Sequence, residues 1–598
     1  MIPHRSTALL TIIVFVALLL VIFSSSPNPN PNPNSEEQQQ EQEVSGPSKY
    51  IPKLPSLSLG DLHLPSFRPT AHTPPPEQKN STSGESKWYS DLSWLNPFSS
   101  SITLDENRSV LPPLRDRPFI YTYYDSKNKN DDDEENSDGQ LLLAWRRAWF
   151  AQGFRPVVLG RGEAMNNPLY ESVQRLKLTR ELEDDLFRWL AWGHMGTGLL
   201  ADWRCFPMAR YDDEMLSALR RGTIPTHITR FDHLGSGLFA GEKARIKDAL
   251  DEAIKKIEEK SMSMLDLIPA DLFRVEQTNA LAFYSSAAVT THYPTLAEKS
   301  VSSPTTGRSS LVQLINSHLH TTFQNSFPAG IAVLKPYPEH TTALVEPALR
   351  LAKALAQCSE SPIPTSCPPN LPKCHPCSAD KPASISQPST YRNTTHVFTI
   401  GTLPHPYTLI SLQHSTDAVT TRLIRRETER DAWLQEVTKE HLGEFLPGSS
   451  RAVVFKKAVA DDPAVGSSLW MTVEALPPDA GQALPSELLD EFEWQLGFKI
   501  PREGNVDAKN EGKAKETMQN ANPSEQGIEK EFDLLSKSRA ILQSKDTNRI
   551  GIKDVAEAWN LADTETWRFV RAYRARSVVE RKRWEEEEKH FFGARSKE

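Results

Sequence analysis

The chain lacks an excess of positive charge, and this excludes one large class of partners. Its 68 lysines and arginines are outnumbered by 77 aspartates and glutamates, which gives a formal net charge of -9. Proteins that bind DNA or RNA neutralise phosphates with clustered lysine and arginine side chains, and the composition shows no such excess. Nucleic acid is therefore not expected as a partner.

Long apolar runs are also scarce, and the one that matters lies at the N-terminus, at residues 7–23. At about 1.5 Å per residue this uncharged run spans a thin bilayer. His4 and Arg5 precede it and should keep residues 1–6 cytosolic, which leaves the bulk of the chain lumenal. No Ala-x-Ala site follows, so an uncleaved signal anchor is favoured over a cleaved signal peptide. The segment also lacks the arginine-rich pattern of a mitochondrial presequence.

Three glycosylation sequons begin at Asn80, Asn107 and Asn393. A lumenal body would make all of them available to glycosylation. A chain of this length contains a few such triplets by chance, so they agree with the lumenal topology without establishing it.

Cysteine is rare, with 5 residues in 598, and most of it falls in one proline-rich segment that holds Cys358, Cys367, Cys374 and Cys377. The spacing of Cys374 and Cys377 occurs in zinc sites, but the second such pair is absent. A lumenal location favours disulfides instead. We expect two local disulfides of undetermined pairing, with Cys205 left as a buried free thiol.

The chain is too long for a single hydrophobic core, and its composition changes along its length. Proline, asparagine and glutamine dominate the segment after the apolar run, which predicts an extended, unstructured stem. The predicted division is a stem at 24–115, an α/β domain at 116–300, an accessory α+β unit with the cysteine-rich loop at 301–500, a polar linker at 501–530 and a helical tail at 531–598.

Strand and helix patterns alternate through residues 116–300, which is typical of a mostly parallel sheet flanked by helices. The acidic segment 131–135 is interpreted as a solvated loop. The tail helix is expected to dock on the protein's own body, and binding of its apolar face to a partner is the alternative. The predicted strands are 118–124, 156–159, 198–202 and 226–232, with helices at 141–152, up to Met195, and at 242–260. In the accessory unit we expect helices at 310–323, 341–357 and 431–442, and strands at 395–400, 407–412, 451–455 and 469–473.

The most informative side chain is Asp202, which ends an apolar strand after a glycine-rich turn. In open sheets flanked by helices, ligands bind beyond the carboxyl ends of the strands, so Asp202 should face a crevice. Asp232 ends a later strand in the same way and is a second candidate acid for that crevice. His194 has no companion at ligand spacing and is expected to be an ordinary helix-end histidine.

Several segments around Asp202 occur together in this order: Asp185-Leu186-Phe187-Arg188-Trp189, Ala201-Asp202-Trp203-Arg204 with Phe206-Pro207, and flanking elements at 145–159 and 236–241. Together they resemble the fungal mannosyltransferase-type glycosyltransferases, which have a GT-A fold and bind a sugar nucleotide through an Asp-x-Asp motif. The resemblance implies that Asp202 contacts the donor ribose and diphosphate. It also implies that Asp185 and Arg188 lie by the donor sugar, and Tyr123 or Tyr124 by the base.

Ordinary structural roles compete with these assignments. Asp185 and Arg188 are three residues apart on a predicted helix, so a surface ion pair explains them equally well. Tyrosines on a strand are more often packing residues than platforms for a base.

Arg204 is the main departure from the family, because it stands where the second acid of the motif belongs. Two acids at that spacing would hold Mn²⁺ or Mg²⁺, which offsets the charge of a diphosphate leaving group. With arginine there, either the guanidinium contacts the diphosphate in place of the metal, or donor binding is lost.

These observations predict a single-pass type II protein of the Golgi or endoplasmic reticulum membrane with a GT-A-like lumenal domain. Its expected activity is the transfer of a hexose, mannose at the level of the family, from a nucleotide sugar to a glycan or glycoprotein. The alternative is a catalytically inactive glycosyltransferase-like scaffold or glycan-binding protein, which Arg204 favours.

Overall fold

The computed structural model describes residues 71–75, 111–112, 116–125, 132–176, 178–257, 263–334, 346–388, 395–403, 459–460, 465–472, 484–502 and 561–595. The apolar run at 7–23, the sequons at Asn80, Asn107 and Asn393, and the predicted elements at 407–412, 431–442 and 451–455 lie outside these residues. Most of the predicted linker at 501–530 also lies outside them. Within the described residues, no helix combines the length and the apolar character needed to cross a membrane.

Alternating strands and helices build the first half of the described chain, as the sequence pattern predicts. The strands are β1 (Phe119–Tyr123), β2 (Arg155–Leu159), β3 (Gly198–Ala201), β4 (Cys205–Pro207), β5 (Ile228–Phe231), β6 (Leu238–Gly241), β7 (Phe273–Glu276) and β8 (Leu281–Phe283). The helices are α1 (Asp132–Ala151), α2 (Arg161–Met165), α3 (Tyr170–Gln174), α4 (Arg180–Met195), α5 (Glu214–Arg220), α6 (Lys243–Lys255), α7 (Met264–Leu267), α8 (Ser286–His292) and α9 (Pro294–Ser302), with a 3₁₀ turn at Ala270–Leu272.

Six of these strands form one mostly parallel sheet in the order β2-β1-β3-β6-β5-β7. β1 is parallel to both β2 and β3, and β5 is parallel to β7, whereas β6 runs antiparallel to both of its neighbours. β4 and β8 pair separately as a short antiparallel ribbon. The βαβ unit predicted from β1, α1 and β2 is therefore present.

The central strands are buried on both faces because their successive side chains point to opposite sides. Ile120 and Leu199 belong to the cluster that contains Trp145 of α1. Tyr121 and Leu200, the next residues along the same strands, belong to a second cluster with Trp192 of α4 and further aromatic residues. Because both the odd and the even positions of these strands carry apolar side chains, helices must cover both faces of the sheet.

The acidic segment at 131–135 was wrongly predicted to be a loop, because α1 begins at Asp132, within it. Carboxylates in the first turn of a helix interact favourably with the positive end of the helix dipole. α1 therefore begins about two turns before the predicted start at residue 141.

A second sheet of four parallel strands follows, in the order β10-β9-β11-β12. Its elements are α10 (Pro304–Ser326), β9 (Ile331–Val333), α11 (Glu346–Ala356), β10 (Ile385–Ser386), β11 (Phe398–Leu403), β12 (Ser468–Thr472) and α12 (Ser486–Leu496). Leu314, Val333 and Phe398 belong to the same hydrophobic cluster as Trp145, so the two sheets share a core. The predicted helices at 310–323 and 341–357 correspond to α10 and α11, and the strands at 395–400 and 469–473 to β11 and β12.

The cysteine-rich loop between α11 and β10 holds two nested disulfides. Cys358 is bonded to Cys377, and Cys367 to Cys374. Cys205, on β4, is buried as a free thiol, and burial strongly raises its pKa. A buried thiol that keeps its proton is unreactive, which agrees with a packing role.

The described part of the tail is one helix, α13 (Leu561–Arg595), which docks on the body of the protein. Arg574 of this helix pairs with Glu491 of α12 at 2.9 Å. Trp584 stacks on Phe150 of α1, with ring centroids 5.6 Å apart. Arg581 and Glu585 pair along the helix, as their spacing of four residues predicts.

Residues 71–75 correct the prediction of an unstructured stem at 24–115, because His72 is only 8% exposed. Its ring lies between two carboxylates, which is a specific contact that composition cannot reveal. A segment of low apolar content can still be ordered where one of its side chains is held by specific polar partners, as His72 is here.

Leu200 tests the two-faced packing of the sheet, because it is 0% exposed in the central strand β3. We expect Leu200→Ala to lower the free energy of unfolding by about 2–5 kcal/mol, since it removes buried methyl groups and leaves a cavity. Denaturant unfolding followed by tryptophan fluorescence measures this loss. Val579→Ala, at a side chain that is 64% exposed, is the control and should change little. Equal effects of the two substitutions would contradict the packing described here.

Candidate functional site

The carboxyl ends of β1 and β3 form the candidate site, because the order of the strands reverses between them. The chain passes from β1 to β2 on one side and then returns to β3 on the other side. Ligands of open α/β sheets bind at such a switch point. Because β6 is antiparallel, its amino end lies at the same edge, where the amide of Asp202 donates to the carbonyl of Gly237 at 2.8 Å.

Asp202 lies at this edge, directly after β3, and is held by Arg204. The carboxylate Oδ1 accepts from the amide of Arg204 at 2.8 Å and from its Nε at 3.0 Å, while Oδ2 accepts from Nη2 at 3.0 Å. The side chain of Asp202 is 13% exposed and that of Arg204 is 32% exposed. Burial alone would raise the pKa of Asp202, but the guanidinium outweighs it and holds the pKa below its usual value. Asp202 is therefore charged and already neutralised by a neighbour.

This pairing does not fit a divalent cation at Asp202. Mn²⁺ and Mg²⁺ need several oxygen ligands, and both carboxylate oxygens of Asp202 are engaged by one guanidinium. No cluster of three or more His, Cys, Asp or Glu side chains suited to a metal occurs in the part of the chain that the structure describes. Asp202 is thus engaged by a guanidinium and not arranged as a ligand of a cation.

Asp185 and Arg188 lie on α4, three residues apart, with Nη1 of Arg188 at 3.8 Å from Oδ1 of Asp185. Each side chain also forms a hydrogen bond with a backbone group of another segment. Oδ2 of Asp185 accepts from the amide of Met264 at 2.9 Å, and Nη2 of Arg188 donates to the carbonyl of Ser236 at 2.9 Å. The ion pair is thus present, and Arg188 also helps to lower the pKa of Asp202.

Tyr124 contacts the Asp202 loop through Trp203, with ring centroids 5.6 Å apart in an edge-to-face arrangement. Its hydroxyl donates to Oδ2 of Asp138 at 3.1 Å, and Oδ1 of that buried carboxylate forms an ion pair with Arg308, 2.9 Å from its Nε. Tyr123 ends β1 and packs against the cluster around Trp192. Sequence reasoning missed Trp203 as a contact, although it stands between Asp202 and Arg204.

Asp232 lies at the same edge but not beside Asp202, because β6 separates β5 from β3. Its carboxylate is 46% exposed, and Oδ1 accepts from the amide of His233 at 3.1 Å. His233 has a left-handed backbone with φ of 67°, which tightens this turn. The structure therefore places Asp232 in its own turn, and nothing described there makes it the second acid of a pair with Asp202.

A cleft of about 740 Å³ lies beside Arg161, just beyond the carboxyl end of β2. Its polar lining comes from Arg161, Glu171, Gln174, Arg175 and Glu183. The volume is that of a pocket for a small organic ligand. Asp202 does not line it, and sequence reasoning missed it. Arg161, which directly follows Gly160 after the second predicted strand, is the one feature of the sequence that could have indicated this cleft.

A family described as a domain of unknown function, DUF8765, matches residues 82–598. No curated protein and no solved structure matches the chain.

Removing the guanidinium tests the Asp202–Arg204 pair. Arg204→Gln should destabilise the protein by about 1–3 kcal/mol at neutral pH, because it leaves a mostly buried carboxylate without its partner. In the native protein the lowered pKa of Asp202 contributes stability that is present above the pKa of an unfolded aspartate and is lost as pH falls through the folded value. The variant should lack this contribution and unfold at a higher pH during acid titration followed by circular dichroism.

Arg245→Gln is the matched control, because Arg245 forms an exposed ion pair with Asp248 at 3.1 Å on α6. It should cost less than about 1 kcal/mol. If both variants have the same stability and the same acid transition as the native chain, Asp202 does not depend on Arg204.

Proposed function

We propose that this chain, which belongs to the DUF8765 family, has a GT-A-like domain that binds a nucleotide sugar and transfers its hexose to a glycan or glycoprotein. Mannose is the hexose suggested by the resemblance around Asp202. The mostly parallel sheet with helices on both faces supports this assignment. The observation that carries the proposal is the meeting of Tyr124, Trp203, Asp202 and Arg204 at the switch point of the sheet.

The donor site extends along the carboxyl edge of the sheet in this proposal. The cleft contains Arg161, which follows β2, and has room for part of a nucleotide. β1, which ends at Tyr123, lies between β2 and β3 in the strand order, and Asp202 follows β3. A nucleotide sugar bound along this edge reaches from the cleft to the Asp202–Arg204 pair.

Arg204 replaces the divalent cation in this proposal. A guanidinium has five N–H donors in a planar fork, and Asp202 uses one on Nε and one on Nη2. The donors on Nη1 and the second on Nη2 remain, on a side chain that is 32% exposed. Arginine binds phosphate oxygens through paired hydrogen bonds, so these donors suit a diphosphate whose charge grows as the hexose leaves.

The remaining parts of the proposal concern location. The apolar run at 7–23 serves as a signal anchor, the body is lumenal, and the protein resides in the Golgi or endoplasmic reticulum membrane as a single-pass type II protein. Two disulfides in the loop between α11 and β10 support an oxidising compartment.

A second candidate function follows from the same ion pair. Because Arg204 already satisfies both oxygens of Asp202, the domain is also suited to a non-catalytic role as a scaffold or glycan-binding protein. In that case the crevice binds no nucleotide, and the pair serves only to hold the loop after β3.

Nucleotide binding separates the two functions. Isothermal titration of the full chain with GDP-mannose, and then with other GDP- and UDP-sugars, should show binding that persists in EDTA and is unchanged by added Mn²⁺. Arg204→Ala should weaken this binding at least about tenfold, because a charge-assisted hydrogen bond to phosphate is lost. A ligand at a hundred times its dissociation constant should also stabilise the protein by about 2.7 kcal/mol in a thermal-shift assay.

Arg245→Ala, which removes the same charge from an exposed position on α6, should bind as the native chain does. Binding that requires Mn²⁺ would contradict the role given to Arg204. A folded native chain that binds none of these nucleotides would refute the transferase and support the scaffold.

A further inference from the structure

Three buried ionisable side chains from distant parts of the chain meet outside the candidate site. His72 is 8% exposed, Glu163 is fully buried and Glu588 is 3% exposed. They come from the segment 71–75, from α2 directly after β2, and from the C-terminal helix α13. Charged groups are rarely buried unless they are paired, so the arrangement of charge here must be specific.

Both ring nitrogens of His72 face a carboxylate. Nδ1 lies 2.7 Å from Oε1 of Glu163, and Nε2 lies 3.3 Å from Oε1 of Glu588. A neutral imidazole has one N–H donor, whereas the imidazolium has two. Only the charged form of His72 can therefore donate to both carboxylates at once.

His72 is also the connection between the three segments. Its backbone amide donates to Oε1 of Glu163 at 2.8 Å, and its ring stacks on Phe591 of α13 with centroids 3.6 Å apart. The second oxygen of Glu163 accepts from the amide of Gly160 at 2.6 Å, at the end of β2. Loss of the imidazolium would thus weaken the attachment of two chain segments to the edge of the six-stranded sheet.

We propose that His72, Glu163 and Glu588 form a proton-dependent latch, which fastens residues 71–75 and α13 to the sheet when His72 is charged and loosens when it loses its proton. The proposal is independent of nucleotide-sugar binding. It assigns a conformational role to a histidine that lies within the predicted stem.

The charges that face His72 favour its protonated form. Glu163 belongs to α2 and Glu588 to α13, while His194 at the end of α4 is hydrogen-bonded to the backbone of His72. Burial lowers the pKa of His194, so it does not supply the positive charge that the two carboxylates need. Beyond this shell, Arg146 of α1 attracts Glu588, and Lys243 of α6 repels a charged His194.

The direction of the pH dependence follows from these contacts. Burial alone would lower the pKa of His72, but the hydrogen bonds to Glu163 and Glu588 outweigh it, and the pKa is raised above its usual value. A raised pKa means that the latch contributes its full stabilisation below the pKa of an unfolded histidine. That contribution is lost as pH rises through the higher, folded pKa.

Hydrogen–deuterium exchange of the full chain, read by mass spectrometry and corrected for intrinsic exchange rates, tests the latch between about pH 5 and pH 8. Protection of residues 71–75 and of α13 around Glu588 should fall together as pH rises. The fall should reach at most about tenfold per pH unit, the limit for release of one proton. Glu588→Gln should move the transition to lower pH, because it removes one carboxylate that stabilises the imidazolium while keeping the shape of the side chain.

His72→Gln removes the titrating group and should give low protection that no longer changes with pH. His194→Gln is the matched control, since it removes the neighbouring histidine and should keep the transition. A transition that survives in His72→Gln, or that disappears in His194→Gln, overturns the proposal. Protection that stays constant across this pH range in the native chain overturns it as well.

Discussion

Burial of the central strands on both faces is the constraint on which the rest of this structure depends. Most packed positions of β1 and β3 carry apolar residues that belong to clusters on opposite faces, so helices cover both sides of the sheet. Asp202 and Tyr124 lie just beyond the ends of adjacent parallel strands for this reason. The site thus lies where the chain leaves the core.

The Asp202–Arg204 pair changes what that edge can do. A lone aspartate at a strand tip would attract a cation from solution, whereas this one carries its own cation two residues away. The pair lowers the cost of placing a carboxylate at a mostly buried position, and it leaves part of an arginine facing outward. The proposed transferase uses that arginine toward phosphate, and the scaffold uses the pair only to hold the loop.

Distant segments complete the body beside the edge strand β2. Helix α13 places Trp584 on Phe150, and residues 71–75 bring His72 between carboxylates of α2 and α13. Arg155 of the edge strand β2 pairs with Glu587 of α13 at 3.1 Å. Contacts of this kind protect an edge strand from pairing with another chain. Segments that composition assigns to a stem and a tail therefore help to complete the fold.

The sequence by itself determined the elements of the α/β region, because apolar periodicity and glycine punctuation are local properties. The βαβ unit, the helix that ends at Met195 and the strand before Asp202 follow from residues within a few positions of one another. The prediction of a loop at 131–135 was wrong, because α1 begins at Asp132. Acidic residues are compatible with the first turn of a helix, where the helix dipole is positive. Local pattern also identified Asp202, because an acid after an apolar strand is visible in a short window.

Only the tertiary structure decided which side chains meet. The pairing of Cys358 with Cys377, the second role of Asp185 at the amide of Met264, and the position of Asp232 two strands away from Asp202 depend on the order of strands and loops in space. The meeting of His72 with Glu163 and Glu588 joins residues separated by 91 and 516 positions, and no local pattern encodes it. Which side chains are buried, and which residues they contact, depends on packing between segments that are distant in the chain. Sequence periodicity is a local property and carries no information about which distant segments pack together.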